Sequence, residues 1–383
     1  MADVHIKPEV LRWARKRSGL SREVLEQKFP KLKLWEEGKK YPTLRQIENF
    51  AKKTRTPLGY FFLKEPPEER LPIPVFRTVR NNRIPNPSPD LLETVYLMER
   101  RQAWMREYLL GQKETPLPFA ASARASHDPV SVALEIRAAL GLDEQWASRF
   151  KTWQDALRAL RDSMETAGIL VVTSGVVGNN NYRKLDVKEF RGFVLHDEYA
   201  PLVFVNGSDA KAAQMFTLAH EIAHIWFGSS AAFDLRELQA ADDSVEQACN
   251  KVAAELLVPE EELRRIWPAA KTNDEPFQIL ARHFKVSSLV GARRALDLGM
   301  IGKEKFLAFY RSYLKDDRRR KKRSEGGDFY ATQSSRIGRL FANTVVTAVK
   351  EGKLLPYDAY KLTGLQGKTF DQFAEELFGS RAA

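Results

Sequence analysis

The chain has 383 residues, of which 43% are hydrophobic, a formal net charge of +11 and a single cysteine, Cys249. This length exceeds one ordinary domain, and one cysteine excludes an internal disulfide. No apolar run reaches the ~18–20 residues of a membrane span and the N-terminus lacks an apolar signal core, so a cytoplasmic protein with no membrane partner is expected. The excess of Lys and Arg suits an acidic partner, nucleic acid included, or simply charged, solvated helix faces.

Taken in order, residues 1–64 read as a small all-helical module. Val10, Leu11, Ala14 and Arg17 mark one amphipathic helix. Ser21 is an N-cap for a second helix over 21–29, and Thr43 precedes a helix over 44–54. The arrangement Trp35-Glu36-x-Gly38…Pro42-Thr43 resembles the helix-turn-helix domain of phage-repressor-like (XRE-type) regulators. In that family a full recognition helix precedes the Trp-Glu. Here only 30–34 separate Phe29 from Trp35, about one 3.6-residue turn too few. A short recognition helix reaches fewer base edges. Lys31 and Lys33 are its candidate nucleic-acid contacts, with docking of a protein as the alternative.

Prolines make 65–88 a linker. Helical patterns follow within 89–165, at about 90–111, 129–141 and 151–167, with a loop over 112–128. After Gly168 the period changes. Ile169–Val172, Phe190–Leu195 and Leu202–Val205 are strand candidates, with a loop at 178–181 and a hairpin-like connection at 196–201. A helix over 211–228 comes next, with Asp209 or Ser208 as N-cap. Then come a helix over 244–258 ended by Pro259 and a helix-turn-helix-like hairpin within 271–300. Arg293 and Arg294 on that hairpin are further candidate nucleic-acid contacts; packing against the neighbouring domain is the plainer reading. Residues 301–383 form a helical C-terminal region with a basic loop at 316–327 and two or three helices beyond it. The fold class expected is α+β and predominantly helical, with a zincin-like domain at 166–270 carrying a small sheet and a metal-binding helix.

The chemistry concentrates on that helix, where the sequence reads His220-Glu221-x-x-His224. Residues four apart leave the same helix face, so both imidazoles can share one metal ion. Glu221 lies about 100° round, beside the metal instead of on it. A catalytic zinc needs a third ligand and an open position. No third histidine follows shortly, so a carboxylate must serve, and Glu237, Asp242, Asp243, Glu246 and Glu255 are the candidates. Glu246 projects from the same face as Cys249, Val252, Ala253 and Leu256, towards the core, where a metal would remove the cost of a buried carboxylate. Cys249 reads as a small core residue.

The stretch Leu218–His224, together with Glu246-Gln-Ala-Cys-Asn250-Lys-Val-Ala-Ala-Glu255-Leu-Leu-Val-Pro259, resembles the ImmA/IrrE family of zinc metallopeptidases. Cys249 and Val252 stand where that family has Ala and Phe. The resemblance implies His220, His224 and Glu246 as zinc ligands and Glu221 as catalytic base. It also implies a regulatory endopeptidase that cleaves a repressor or antitoxin-like protein in a stress or mobile-element response. The strand pair ahead of the helix is expected to offer an edge for an extended peptide. The competing readings are a DNA- or partner-binding regulator with a structural zinc, and a scaffold whose basic surface holds nucleic acid.

Overall fold

The computed structural model describes residues 3–69, 87–229, 231–233, 244–315 and 329–379. Most of the expected linker, the basic loop at 316–327 and the candidates Glu237, Asp242 and Asp243 lie outside these residues. The described chain forms two compact units that divide between Tyr96 and Leu97. The fold is α+β and predominantly helical.

In the first unit, α1 (Pro8–Arg17), α2 (Arg22–Lys28), α3 (Leu32–Glu36) and α4 (Leu44–Thr54) precede a 3-10 turn at Leu58–Phe62. Their sequence signals are local and strong. Ser21 Oγ accepts from Val24 N, and Thr43 forms a capping box with Gln46. Each cap satisfies otherwise orphaned amides and contributes about 1 kcal/mol. Val10, Leu11, Leu25, Leu32, Trp35, Ile47, Phe50 and Phe61 close a core of their own. Glu36, at the end of α3, is buried and receives Arg15 Nε at 2.7 Å. The segment ahead of and including Trp35 is thus a five-residue helix whose Leu32, Trp35 and Glu36 are buried.

Helix α5 (Pro89–Gly111) begins in the first unit and ends in the second. The second unit continues with α6 (Pro129–Leu140), α7 (Trp153–Thr166) and the strands β1 (Leu170–Ser174), β2 (Val176–Val177), β3 (Asn180–Lys184), β4 (Gly192–Leu195) and β5 (Leu202–Asn206). Next come α8 (Lys211–Trp226), β6 (Ala231–Phe233), α9 (Ser244–Leu257), α10 (Glu260–Ala270), α11 (Pro276–Phe284) and α12 (Ser288–Asp297). The chain closes with α13 (Lys303–Lys315), α14 (Phe329–Ile337), α15 (Arg339–Lys350), α16 (Pro356–Thr363) and α17 (Lys368–Gly379).

The main sheet has the order β1-β5-β4-β6, with β1 parallel to β5 and the other pairs antiparallel. Helix α8 packs against β4 and β5, and α9 packs on α8 with α6 behind it. Strand β6 had no sequence signal. It pairs with β4 through Gly192↔Phe233 and Val194↔Ala231, so β4 is flanked on both sides and is not the expected open edge. The loop expected at 178–181 is instead a tight turn into a strand. Gly178 takes φ +53, which a side chain would resist, and β3 starts at Asn180.

Among the described residues the C-terminal segment from 329 holds four helices, where two or three were expected. The extra break is at Gly338, whose φ of +91 separates α14 from α15. A Cβ there would stand 3.0 Å from the Val171 carbonyl oxygen, so glycine also lets this corner approach β1.

Candidate metal centre

Helix α8 is buried on every side from Gln214 to Trp226. Helices apolar all round belong in the core, and each fully buried large side chain stabilises by about 1.5–3 kcal/mol. Leu218, Ile222, Ile225 and Trp226 supply that burial, with Trp226 stacked on Phe119 at 4.4 Å between ring centres. The loop carrying Phe119 also donates Ala121 N to Ile225 O and Ala123 N to Trp226 O, which satisfies the last carbonyls of the helix. At the other end neither Asp209 nor Ser208 is the N-cap; Ala210 is, without a side-chain bond. Asp209 is drawn away, with one oxygen on its neighbour's amide at Ala210 and the other on Arg191 at 2.8 Å.

Such a helix carries three ionisable groups into the core at His220, Glu221 and His224, all at most 1% exposed. His220 Nε2 and His224 Nε2 lie 3.0 Å apart. Glu246, in the first turn of α9, sets Oε2 3.3 Å from His220 Nε2 and Oε1 3.4 Å from His224 Nε2. All the candidate ligand atoms lie within 4.8 Å of one another, and among the described residues this is the one such cluster of His, Cys, Asp and Glu. Glu255 is directed elsewhere: its carboxylate accepts from Arg294 and from Glu260 N. Cys249 is fully buried in the core.

The far sides of both rings are fixed. Asn250, one turn along α9 from Glu246, places Oδ1 3.1 Å from His220 Nδ1. An amide oxygen only accepts, so Nδ1 carries the proton and Nε2 offers a lone pair. The Ser229 hydroxyl is 2.8 Å from His224 Nδ1. That contact comes from how the helix ends. Gly228 takes φ +67, Gly228 N donates to Ile225 O, and Ser229 N donates to His224 O at 3.0 Å. This is a Schellman ending, and it swings Ser229 back beneath the ligand. Partners of this kind orient imidazoles and raise their basicity.

The electrostatics match the geometry. Burial lowers the His220 pKa, with Glu246 pulling the other way, which keeps the ring neutral. Burial alone would raise Glu246; positive charge shared with His220 and His224 outweighs it and holds the carboxyl well below its usual range, so the carboxylate is the ionised member of the set. Two imidazole lone pairs and a carboxylate therefore converge on one point. Acceptors without a shared donor repel, and a divalent cation resolves that repulsion. Two neutral imidazoles and one ionised carboxylate are also a donor set that zinc takes. The residues present therefore fit such an ion.

Glu221 stands apart from this set. Both its oxygens are buried with no hydrogen-bond partner among the described residues. Burial, and then the charge of Glu246, push its pKa well above the carboxylate range. Strand β4 passes directly over it. A Cβ at Gly192 would lie 3.4 Å from Glu221 Oε1 and 2.5 Å from Thr217 Cγ2, so only glycine fits there. The roles of Ser229, Asn250 and Gly192 were not foreseen. The Gly-Ser pair after the helix was the available signal for the first, and the i+4 spacing from Glu246 for the second.

The four candidate nucleic-acid contacts fall on both units. Lys31 and Lys33 are exposed in the first. In the second, Arg293 pairs with Asp297 at 2.8 Å. Arg294 departs from the expectation of phosphate contact: its side chain is 11% exposed and its guanidinium is bound to Glu255 and to Val258 O.

Residues 164–296 match the family model of the IrrE N-terminal-like domain, a peptidase family, and residues 337–376 match a domain of unknown function. No curated protein matches the chain. The matched span begins in α7 and ends in α12, so it contains the main sheet, α8 and α9, and with them every residue of the cluster. That part of the chain is similar to a peptidase domain, and no described helix is long and apolar enough to cross a membrane.

Proposed function

We propose that the chain is a cytoplasmic, zinc-dependent endopeptidase with His220, His224 and Glu246 as ligands and Glu221 as general base. The observation that carries this reading is Glu221 itself, a buried carboxyl without a partner next to a converging donor set. A structural metal site needs no such group. When bound, zinc supplies a Lewis acid that acidifies water and polarises a peptide carbonyl. Glu221 accepts the proton of the attacking water and returns it to the leaving amine. Its buried setting strengthens it as a base. Asn250 and Ser229 hold the two imidazoles in register, and the apolar surround of α8 excludes bulk water from Glu221. On this side of the sheet an extended peptide meets β6, not β4, by main-chain pairing.

The substrate class proposed is a repressor or antitoxin-like protein in a stress or mobile-element response, docked by the N-terminal unit. Docking is favoured over base reading because α3, at five residues, is only about 7.5 Å long and buries Leu32, Trp35 and Glu36, three of those five. The decisive experiment incubates candidate repressors, including any encoded next to this chain, with the zinc-loaded protein and with Glu221→Gln. Cleavage by the first and none by the second, at equal zinc content, supports the reading. Cleavage by both defeats it. A salt titration of duplex binding tests the DNA alternative, which requires a steep fall of log affinity with log salt.

A further inference from the structure

Away from the metal cluster, the second unit contains a cleft of about 660 Å³. Three parts of the chain build it: the β2–β3 turn with Asn179 and Asn181, helix α14 with Phe329, Gln333 and Arg336, and the loop between α16 and α17 with Gln366. These walls are tied together from behind. Arg101 on α5 is 3% exposed and donates to Arg336 O, Ile337 O and Leu362 O, the carbonyl ends of α14 and α16. Asn179 Nδ2 donates to Gly364 O at 3.0 Å, and Tyr330 Oη to Gln372 Oε1 at 2.9 Å. The cleft is therefore braced at both ends instead of being a gap between loose helices.

Its lining has a definite chemistry. Among the described residues Arg336 is its single charged one, and no carboxylate of theirs lines it. The guanidinium is held by Asn181 Oδ1 at 2.7 Å, and burial alone lowers its pKa, with no acid contributing. An arginine fixed in this way presents its remaining N–H groups to an anion. Around it stand four carboxamides, which offer donors and acceptors together. One is conspicuous: Gln333 is 2% exposed and its Oε1 has no hydrogen-bond partner among the described residues. A buried acceptor left unmet costs about 1–3 kcal/mol, which a ligand N–H would recover. At the rim Phe329 is 49% exposed, with its ring edge-to-face on Tyr330, and it offers apolar surface to a planar group. The volume falls within the ~300–1,000 Å³ of small-molecule sites and far exceeds an inorganic anion.

We propose that this cleft binds a small organic anion carrying a planar, hydrogen-bonding ring, the chemistry of a nucleoside monophosphate. The anionic group meets Arg336, the ring edge meets Gln333 and the other carboxamides, and the ring face meets Phe329. The site shares no residue with the metal cluster, so its test is independent of the peptidase reading.

The test is calorimetric titration of the full chain with adenosine, guanosine, cytidine and uridine 5′-monophosphates. Inorganic phosphate, ribose 5-phosphate and the free nucleosides are the partial probes. At least one monophosphate should bind below millimolar, and at least tenfold tighter than any partial probe. Arg336→Gln should weaken that monophosphate tenfold or more and leave its nucleoside unchanged. Thr369→Phe, which adds bulk to the lining and keeps the arginine, should weaken both, with far-UV circular dichroism confirming that each variant is folded. Three results overturn the proposal: no monophosphate binds below millimolar, inorganic phosphate binds as well as the nucleotide, or both folded variants bind it like the parent.

Discussion

Buried acid is treated in opposite ways beside the two ends of helix α9. At its C-terminal end Glu255 is 4% exposed, and Arg294 and the Glu260 amide meet its carboxylate while Arg137 bonds its main-chain carbonyl. At its N-terminal end Glu246 faces two imidazoles, and beside them Glu221 is fully buried with nothing to accept from. A paired buried charge is architecture, because removing one partner strands the other. An unpaired one is a standing cost to folding, and chains keep such costs where a site needs them. The contrast separates a group that holds helices together from one that, on the function proposed above, serves the reaction.

The comparison can be broken at either end. The largest effect is expected from Glu221→Gln, which should lower peptide cleavage about a thousandfold with zinc content unchanged. Assays of turnover against metal content by atomic absorption check both halves. At the other end, Glu255→Ala should leave Arg294 buried without its partner and destabilise by about 3–5 kcal/mol, seen as a lower urea midpoint. Adding Arg294→Met should restore most of that loss, since the stranded charge goes with it.

A third buried acid lies between these extremes. Glu165 on α7 accepts from Leu340 N at the start of α15. Burial raises its pKa to about 7, against the pull of that amide and of Arg161. The folded state therefore holds a proton that the unfolded chain has already released. The stability that Glu165 contributes should be fully present below about pH 4.5 and be lost, by about 3 kcal/mol, as pH rises from there through 7. Urea midpoints at several pH values measure this, and Glu165→Gln should flatten the profile. The smallest effect belongs to Ser229→Ala, which loosens only the His224 ring. It should weaken metal binding about tenfold in competition with a chromophoric chelator.

Much of this was legible because the signals were local. The caps at Ser21 and Thr43, the helix over 211–228, the two imidazoles four apart and the apolar face carrying Glu246 all follow from helical period and capping chemistry. What escaped was non-local. The pairing of β6 with β4 depends on a return of the chain that three short residues do not announce. The break at Gly338 reads in sequence as one glycine among many until the Val171 carbonyl is found 3.0 Å away. Arg294 reads in sequence only as a basic residue on a hairpin, open to phosphate contact or to packing, because nothing there shows that Glu255 lies across from it. The Ala210 cap was misplaced by one or two residues because Asp209 had a better partner in Arg191.

The glycine-ended turn of α8 has a consequence for order and timing. Its last hydrogen bonds, Gly228 N to Ile225 O and Ser229 N to His224 O, close the same few residues that orient the His224 ring. Fraying of that turn and misalignment of a ligand are then one event. Metal loading and closure of the helix end are thermodynamically linked, each favouring the other by the same amount. The exchange rates of the Gly228 and Ser229 amide protons therefore gauge occupancy of the centre, slowing as metal is added, with no substrate needed to read it.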